Sequence, residues 1–165
     1  PDEPFVRLGP AALEQLAREL ATADRPTLVA VHHPPMPVGS DWIDALGLQD
    51  GAALLALLGR HREVRAVTTG HVHQAFEGHH GHLRLFTTPS TCAQFTPRTQ
   101  RCVMDTRPPG WRRLELWPDG RIDTTVHWLE GWVAGPRPVD SRAGEGMAGA
   151  AHAPGQRAGD VTVGP

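Results

Sequence analysis

Lysine, asparagine and tyrosine are missing from the 165-residue sequence, isoleucine occurs only at Ile43 and Ile122, and all 16 basic residues are arginine. A GC-rich coding bias accounts for most of this, and no function is read from it. Cysteine is nearly absent. Cys92 and Cys102 stand ten positions apart, too few for a disulfide framework and without the C-x-x-C spacing of a zinc knuckle, so reduced thiols are expected. The longest apolar run, residues 52–58, is too short to span a membrane, and no charged-then-apolar stretch reads as a signal peptide. Charge of either sign is close to balanced: 18 acidic residues against the arginines give a formal net charge of −2 and a pI of 6.6. That balance suggests neither a polyanion-binding stripe nor an acidic tail, so nucleic acid is not an expected partner. The expectation is a soluble, cytoplasmic chain of one-domain size.

What is abundant is histidine, ten residues in all, which is a prior for metal or proton chemistry and no more. The sequence opens on Pro1, in what reads as a loop before a helix, as a fragment would. Pro10 suits the first position of a helix, and Leu13, Leu16, Ala17 and Leu20 follow at the spacing of one helical face, predicting a helix over 10–22. Residues 27–31 (TLVAV) form a short apolar run without alternation, as in a parallel strand covered on both faces. Asp50 caps a second, leucine-rich helix that Gly59 closes, and residues 64–69 make another buried strand. His32 lies just past the first strand and His71 just past the second. A strand, a helical crossover and a second strand put both strand ends at one sheet edge, with neighbouring strands about 4.8 Å apart. The two histidines therefore converge where α/β sheets hold ligands.

From residue 74 an antiparallel pattern is expected. Segments 75–77 and 82–86 flank Gly78-His79-His80-Gly81, and segments 113–117 and 121–128 flank Pro118-Asp119-Gly120, each reading as a hairpin. Residues 133–165 hold seven Gly, four Pro and seven Ala with no aromatic and no periodicity, which reads as a disordered tail.

Gly70-His71-Val72-His73 is the sharpest local signal. In an extended segment His71 and His73 point to one side, about 7 Å apart, which suits two ligands of one metal or one ligand to each of two. In Val31-His32-His33-Pro34-Pro35 the prolines stop the strand and fix the backbone. One of the two histidines is expected to face the crevice; His32 is favoured, with His33 turned toward an outer or substrate-contacting role. His79, His80, His82, His61, His127 and His152 are read as solvated, Asp41 and Asp44 as a solvated helix start, Cys92 as a packed thiol, and the tryptophans as packing residues, Trp111 anchoring its loop.

The blocks VHHPPMP (31–37), TTGHVHQAF (68–76), TTPSTCAQFTP (87–97) and MDTRPPGWRRLEL (104–116) together resemble the carboxyl-terminal half of the bacterial 3′,5′-cyclic AMP phosphodiesterases, of the calcineurin-like metallophosphoesterase superfamily. The resemblance covers residues 5–131. It implies the carboxyl-terminal portion of a four-layer α/β/β/α sandwich, a partial domain over 1–132 followed by the tail. It also implies two metal ions, Fe, Mn or Zn, with His32, His71 and His73 as ligands, and hydrolysis of 3′,5′-cyclic AMP to 5′-AMP by a metal-activated hydroxide. The family's remaining ligands come from D-x-H, G-D and G-N-H-[DE] blocks. This chain has no Asn, and none of its Asp residues is followed two positions later by His. The amino-terminal half of the domain is thus the expected partner, and without it the chain is expected to be inactive. The sheet edge next to Val29 would then lie open and invite association, a homodimer included. Two other readings stand beside this one: another phosphodiester substrate, such as a 2′,3′-cyclic nucleotide, and a non-catalytic module that has lost its metals.

Overall fold

The computed structural model describes residues 6–133; the expected tail lies outside the described residues, apart from Val133. In chain order come α1 (Gly9–Leu20), β1 (Thr27–Ala30), α2 (Asp41–Asp44), α3 (Gly51–Leu58), β2 (Val64–Thr69), β3 (Glu77–His80), β4 (Leu83–Thr87), β5 (Gly110–Leu116) and β6 (Ile122–Trp128). The first four strands form one mixed sheet in the order β1-β2-β4-β3, and β5 and β6 form a separate two-stranded sheet.

Strand alternation explains the packing. Val29, Val67, Leu83 and Leu85 turn to the helical face, where they meet Leu16 and Leu20 of α1 and Leu54, Leu55 and Leu58 of α3. Leu28, Ala66 and Phe86 turn to the other face and pack with Leu114 of β5 and Ile122 of β6. The chain therefore supplies helices, a central mixed sheet and a hairpin sheet. β1 pairs only with β2, so its outer edge is open among the described residues. Beside that edge a groove of about 250 Å³ is lined mostly by apolar residues, Leu16, Val29 and Val31 among them, together with Gln15 and Glu19. No described helix is long and apolar enough to cross a membrane.

Three local expectations change. Asp50 makes no side-chain bond to its own helix. Its carboxylate instead accepts the N–H groups of Leu8 and Gly9, at 2.9–3.1 Å, and so caps α1 from 41–42 residues away. Burial works against the charge on Asp50, but those N–H groups and Arg7 outweigh it and hold its pKa below the ordinary value. Gly59 does cap the carboxyl end of α3 as expected, with φ −63°. The first hairpin turns at Gly81-His82, not at 78–81. His80 faces Leu83 across it, Gly81 takes φ +58°, and Gly78 lies within β3, where any Cβ would press on the Phe76 ring at 3.0 Å. Nor is this half wholly antiparallel, because the other edge of β4 pairs with β2 in parallel.

Arg112 ties the hairpin sheet to the main one. Its side chain is 1% exposed. Nε donates to the Thr87 carbonyl (3.0 Å), one terminal nitrogen reaches Glu77 (2.6 Å) and Thr124 Oγ1 (2.8 Å), and the guanidinium sits 5.3 Å from the Phe86 ring centre. Arg112→Met strips the buried Thr87 carbonyl and the part-buried Thr124 hydroxyl of their donor, along with the exposed Glu77 of its partner, and is expected to cost about 2–4 kcal/mol in chemical denaturation. Arg25→Ala, at a pair 90% exposed on both sides, is expected to stay within about 0.5 kcal/mol.

Candidate metal centre

The pairing of β1 with β2 continues past the strands. Val31 N–H donates to the Thr68 carbonyl and Gly70 N–H to the His32 carbonyl, both at 3.1 Å. This seats Gly70 beside the His32 ring, with its missing Cβ only 3.3 Å from Nδ1. Downstream, Pro34 and Pro35 are buried. Leu48 N–H donates to the Pro34 carbonyl, and the start of α3 packs so closely that a Cβ on Gly51 would overlap the Pro35 carbonyl. The di-histidine is thereby pinned on both sides.

His71 and His73 depart from the extended geometry expected of H-x-H: both are left-handed, with φ +46° and +49°. Between them Val72 is fully buried in a cluster with Val38, Ile43, Trp42, Phe76 and Phe95. The two imidazoles consequently have different company. His71 lies with both His32 and His33, ring centres 5.5 and 4.0 Å away. His73 stacks on Phe95 at 4.8 Å and 9°, and its Nδ1 is 2.8 Å from the Ala93 carbonyl. That oxygen only accepts, so the proton belongs on Nδ1 and the Nε2 lone pair is free.

Ligand-type atoms of His32, His33 and His71 all lie within 4.8 Å of one another. His33, expected to turn away, is thus part of the group; the doublet HH gave no means of aiming its second ring. Among the described residues the group holds three imidazoles and no carboxylate. Burial, followed by the neighbouring His33, His32 and His73, drives the His71 pKa down to about 4. Burial and His32 also lower His33. The Nε2 atom of His71 is buried without a hydrogen-bond partner. Two imidazoles held neutral, one with an orphaned nitrogen, fit a borderline transition cation that binds through nitrogen.

The remaining candidates lie apart. His79 and His80 are exposed, His82 contacts the His61 carbonyl at 3.3 Å, and His127 stacks on Trp111 at 5.3 Å. Trp111 is nevertheless 48% exposed, and Cys92 is an exposed free thiol, not a packed one. Asp44 is structural: its carboxylate accepts the N–H groups of Val38, Gly39 and Ser40 at 2.7–2.9 Å, while burial raises its pKa. His152 lies outside the described residues. Ser40, which no motif singles out, is fully buried and accepts the Arg98 N–H (2.8 Å) and the Gln74 amide (3.4 Å), joining three segments around Val72.

In the metal-free chain an NMR titration is expected to show His71 taking up its proton near pH 4. Unfolded His71 protonates at the ordinary 6.5, so the unfolded chain binds more protons throughout that interval. Stability accordingly falls as pH drops from 6.5 toward 4. A His71 midpoint at its ordinary value would contradict the buried geometry.

No family model matches the chain. It is 43% identical over 115 residues to the 3′,5′-cyclic adenosine monophosphate phosphodiesterase CpdA of Pseudomonas aeruginosa, covering 69% of this chain and 42% of that protein. The CpdA of Escherichia coli K12 is 41% identical over 127 residues, 76% of this chain and 46% of the relative. A probable cyclic nucleotide phosphodiesterase of Synechococcus is 38% identical over 124 residues, 75% of this chain and 46% of the relative. The chain is therefore a relative of the bacterial cyclic nucleotide phosphodiesterases, matching a carboxyl-terminal portion that makes up just under half of their length.

Proposed function

We propose that this chain is the carboxyl-terminal part of a metal-dependent phosphodiesterase that hydrolyses 3′,5′-cyclic AMP to 5′-AMP, with His32, His71 and His73 among its metal ligands. The observation that carries the reading is the convergence of His32 and His71 at adjacent strand ends, within a chain 43% identical to a protein named for that reaction. Bound there, a pair of Fe-, Mn- or Zn-type cations would supply charge to offset the phosphate oxygens and to acidify the attacking water.

The chain's own residues account for part of such a centre. His32 and His71 present nitrogen donors from adjacent strand ends, and His73, its proton kept on Nδ1 by the Ala93 carbonyl, presents Nε2. Two dications about 4 Å apart also need carboxylate charge between them. The three-histidine group contains none among the described residues, and the chain has no Asn to stand where the family uses one. The missing ligands belong to an amino-terminal half, which would also pair with the open β1 edge and fill the groove beside Val29, completing the four-layer sandwich.

The test joins the chain in frame to such a half and assays 3′,5′-cyclic AMP hydrolysis with added Mn²⁺. Activity is expected from the joined protein and none from the 165-residue chain alone, with 2′,3′-cyclic AMP turned over more slowly. His71→Ala is expected to lower kcat by about 100-fold or more; full activity in that variant would defeat the assignment.

A further inference from the structure

We propose that Phe95 is a positioning residue for His73: its ring fixes the plane of the imidazole, and Trp42 braces Phe95 in turn. The proposal rests on the reading above only in taking His73 as a ligand; the role of Phe95 comes from the stacking geometry.

A single hydrogen bond fixes one point on an imidazole and leaves the ring free to swing about it. The bond from His73 Nδ1 to the Ala93 carbonyl, 2.8 Å, is of that kind. His73 draws no further restraint from a strand, since it lies past the end of β2 with φ +49°. What remains to be fixed is the ring plane, and Phe95 fixes it: the two ring centres are 4.8 Å apart, with planes 9° from parallel. Phe95 is itself held. The Trp42 ring meets it at 5.0 Å and 88°, a perpendicular contact. The Phe95 backbone bridges to Met104, flanked by hydrogen bonds from Asp105 N–H to the Gln94 carbonyl (2.9 Å) and from Thr96 N–H to the Val103 carbonyl (2.8 Å). Ala93 and Phe95 belong to this one pinned segment, so the hydrogen bond and the stack reach His73 from the same piece of backbone. A leucine at 95 fills comparable space but offers no flat face, leaving the imidazole to turn about its hydrogen bond. Outer partners of a metal-ligating histidine set its tautomer and ring orientation, and losing one typically lowers metal affinity or activity about 10–100-fold.

Imidazole ¹H–¹⁵N NMR spectra of the 165-residue chain in alkaline buffer read the ring directly. In the wild-type chain His73 is expected as a single tautomer protonated on Nδ1, its ring protons shifted upfield by the Phe95 face. Phe95→Tyr is expected to keep both features. Phe95→Leu and Phe95→Met are expected to lose the upfield shift and to mix the tautomers, while the exposed His79 stays unchanged. In the protein joined to its amino-terminal half, Phe95→Leu is expected to need about 10-fold more Mn²⁺ for half-maximal rate, with KM for cyclic AMP within about twofold of wild type; Phe95→Tyr recovers the wild-type requirement. A wild-type His73 with mixed tautomers or no upfield shift overturns the proposal whether or not any variant folds. A folded Phe95→Leu with wild-type tautomer and Mn²⁺ requirement overturns it too, as does an equal loss in Phe95→Leu and Phe95→Tyr, which marks packing alone. The two readings fail differently: a joined protein that hydrolyses cyclic AMP equally well with leucine at 95 sinks only this one. A joined protein without hydrolysis, in which His73 still shows the stacked single tautomer, sinks the other.

Discussion

Everything at the site depends on the parallel pairing of β1 with β2 being carried beyond the strands by the bonds from Val31 to Thr68 and from Gly70 to His32. A parallel pair places two carboxyl ends side by side, and these last bonds decide which residues stand opposite one another. Slipping β1 by one residue against β2 would send Val29 to the hairpin face and Leu28 to the helices while Val67 and Ala66 stayed in place. The core that fixes the register is thus the same core that sets His32 against His71. Stability and candidate chemistry are here consequences of a single alignment.

The loops that follow the strands are built to match. Arg98 and Gln74 converge on Ser40, Trp42 meets Phe95 edge-on, and Phe95 stacks on His73. Gln94 is fully buried; its side-chain oxygen accepts the Ser90 N–H while its amide donates to the Ser90 and Pro108 carbonyls. Buried, satisfied polar side chains of this kind stiffen irregular backbone, and a ligand site on loops needs that stiffness to hold its donors in place.

The strands and their order around the site were legible in the sequence because TLVAV is a short apolar run and VRAVTT a short β-branched one, each following a helix and leading to a histidine, the grammar of a parallel β-α-β unit. The directions of the histidines were not. H-x-H reads as two rings on one side only where the backbone is extended, and left-handed φ at His71 and His73 breaks that rule without a glycine to announce it. Asp50 misled for a related reason: local pattern assigns a carboxylate to the helix it precedes, whereas its partners came from a segment distant in sequence. The position of Gly78 likewise answers to the Phe76 ring and not to the turn chemistry of its neighbours.

Left-handed backbone at two non-glycine residues costs on the order of 1–2 kcal/mol each. Packing around the buried Val72 holds that conformation, and its effect is to separate the two imidazoles. Charged, the three grouped rings would repel one another; His33 and His71, their protons disfavoured by burial, leave their lone pairs free. Such a set is complementary to a dication. A second dication adds repulsion that neutral nitrogens do not offset, because they bring donor strength without negative charge. On the proposed reading the division of labour would follow from electrostatics: the described histidines would contribute donors, and a two-cation centre would form only where carboxylates were supplied from elsewhere.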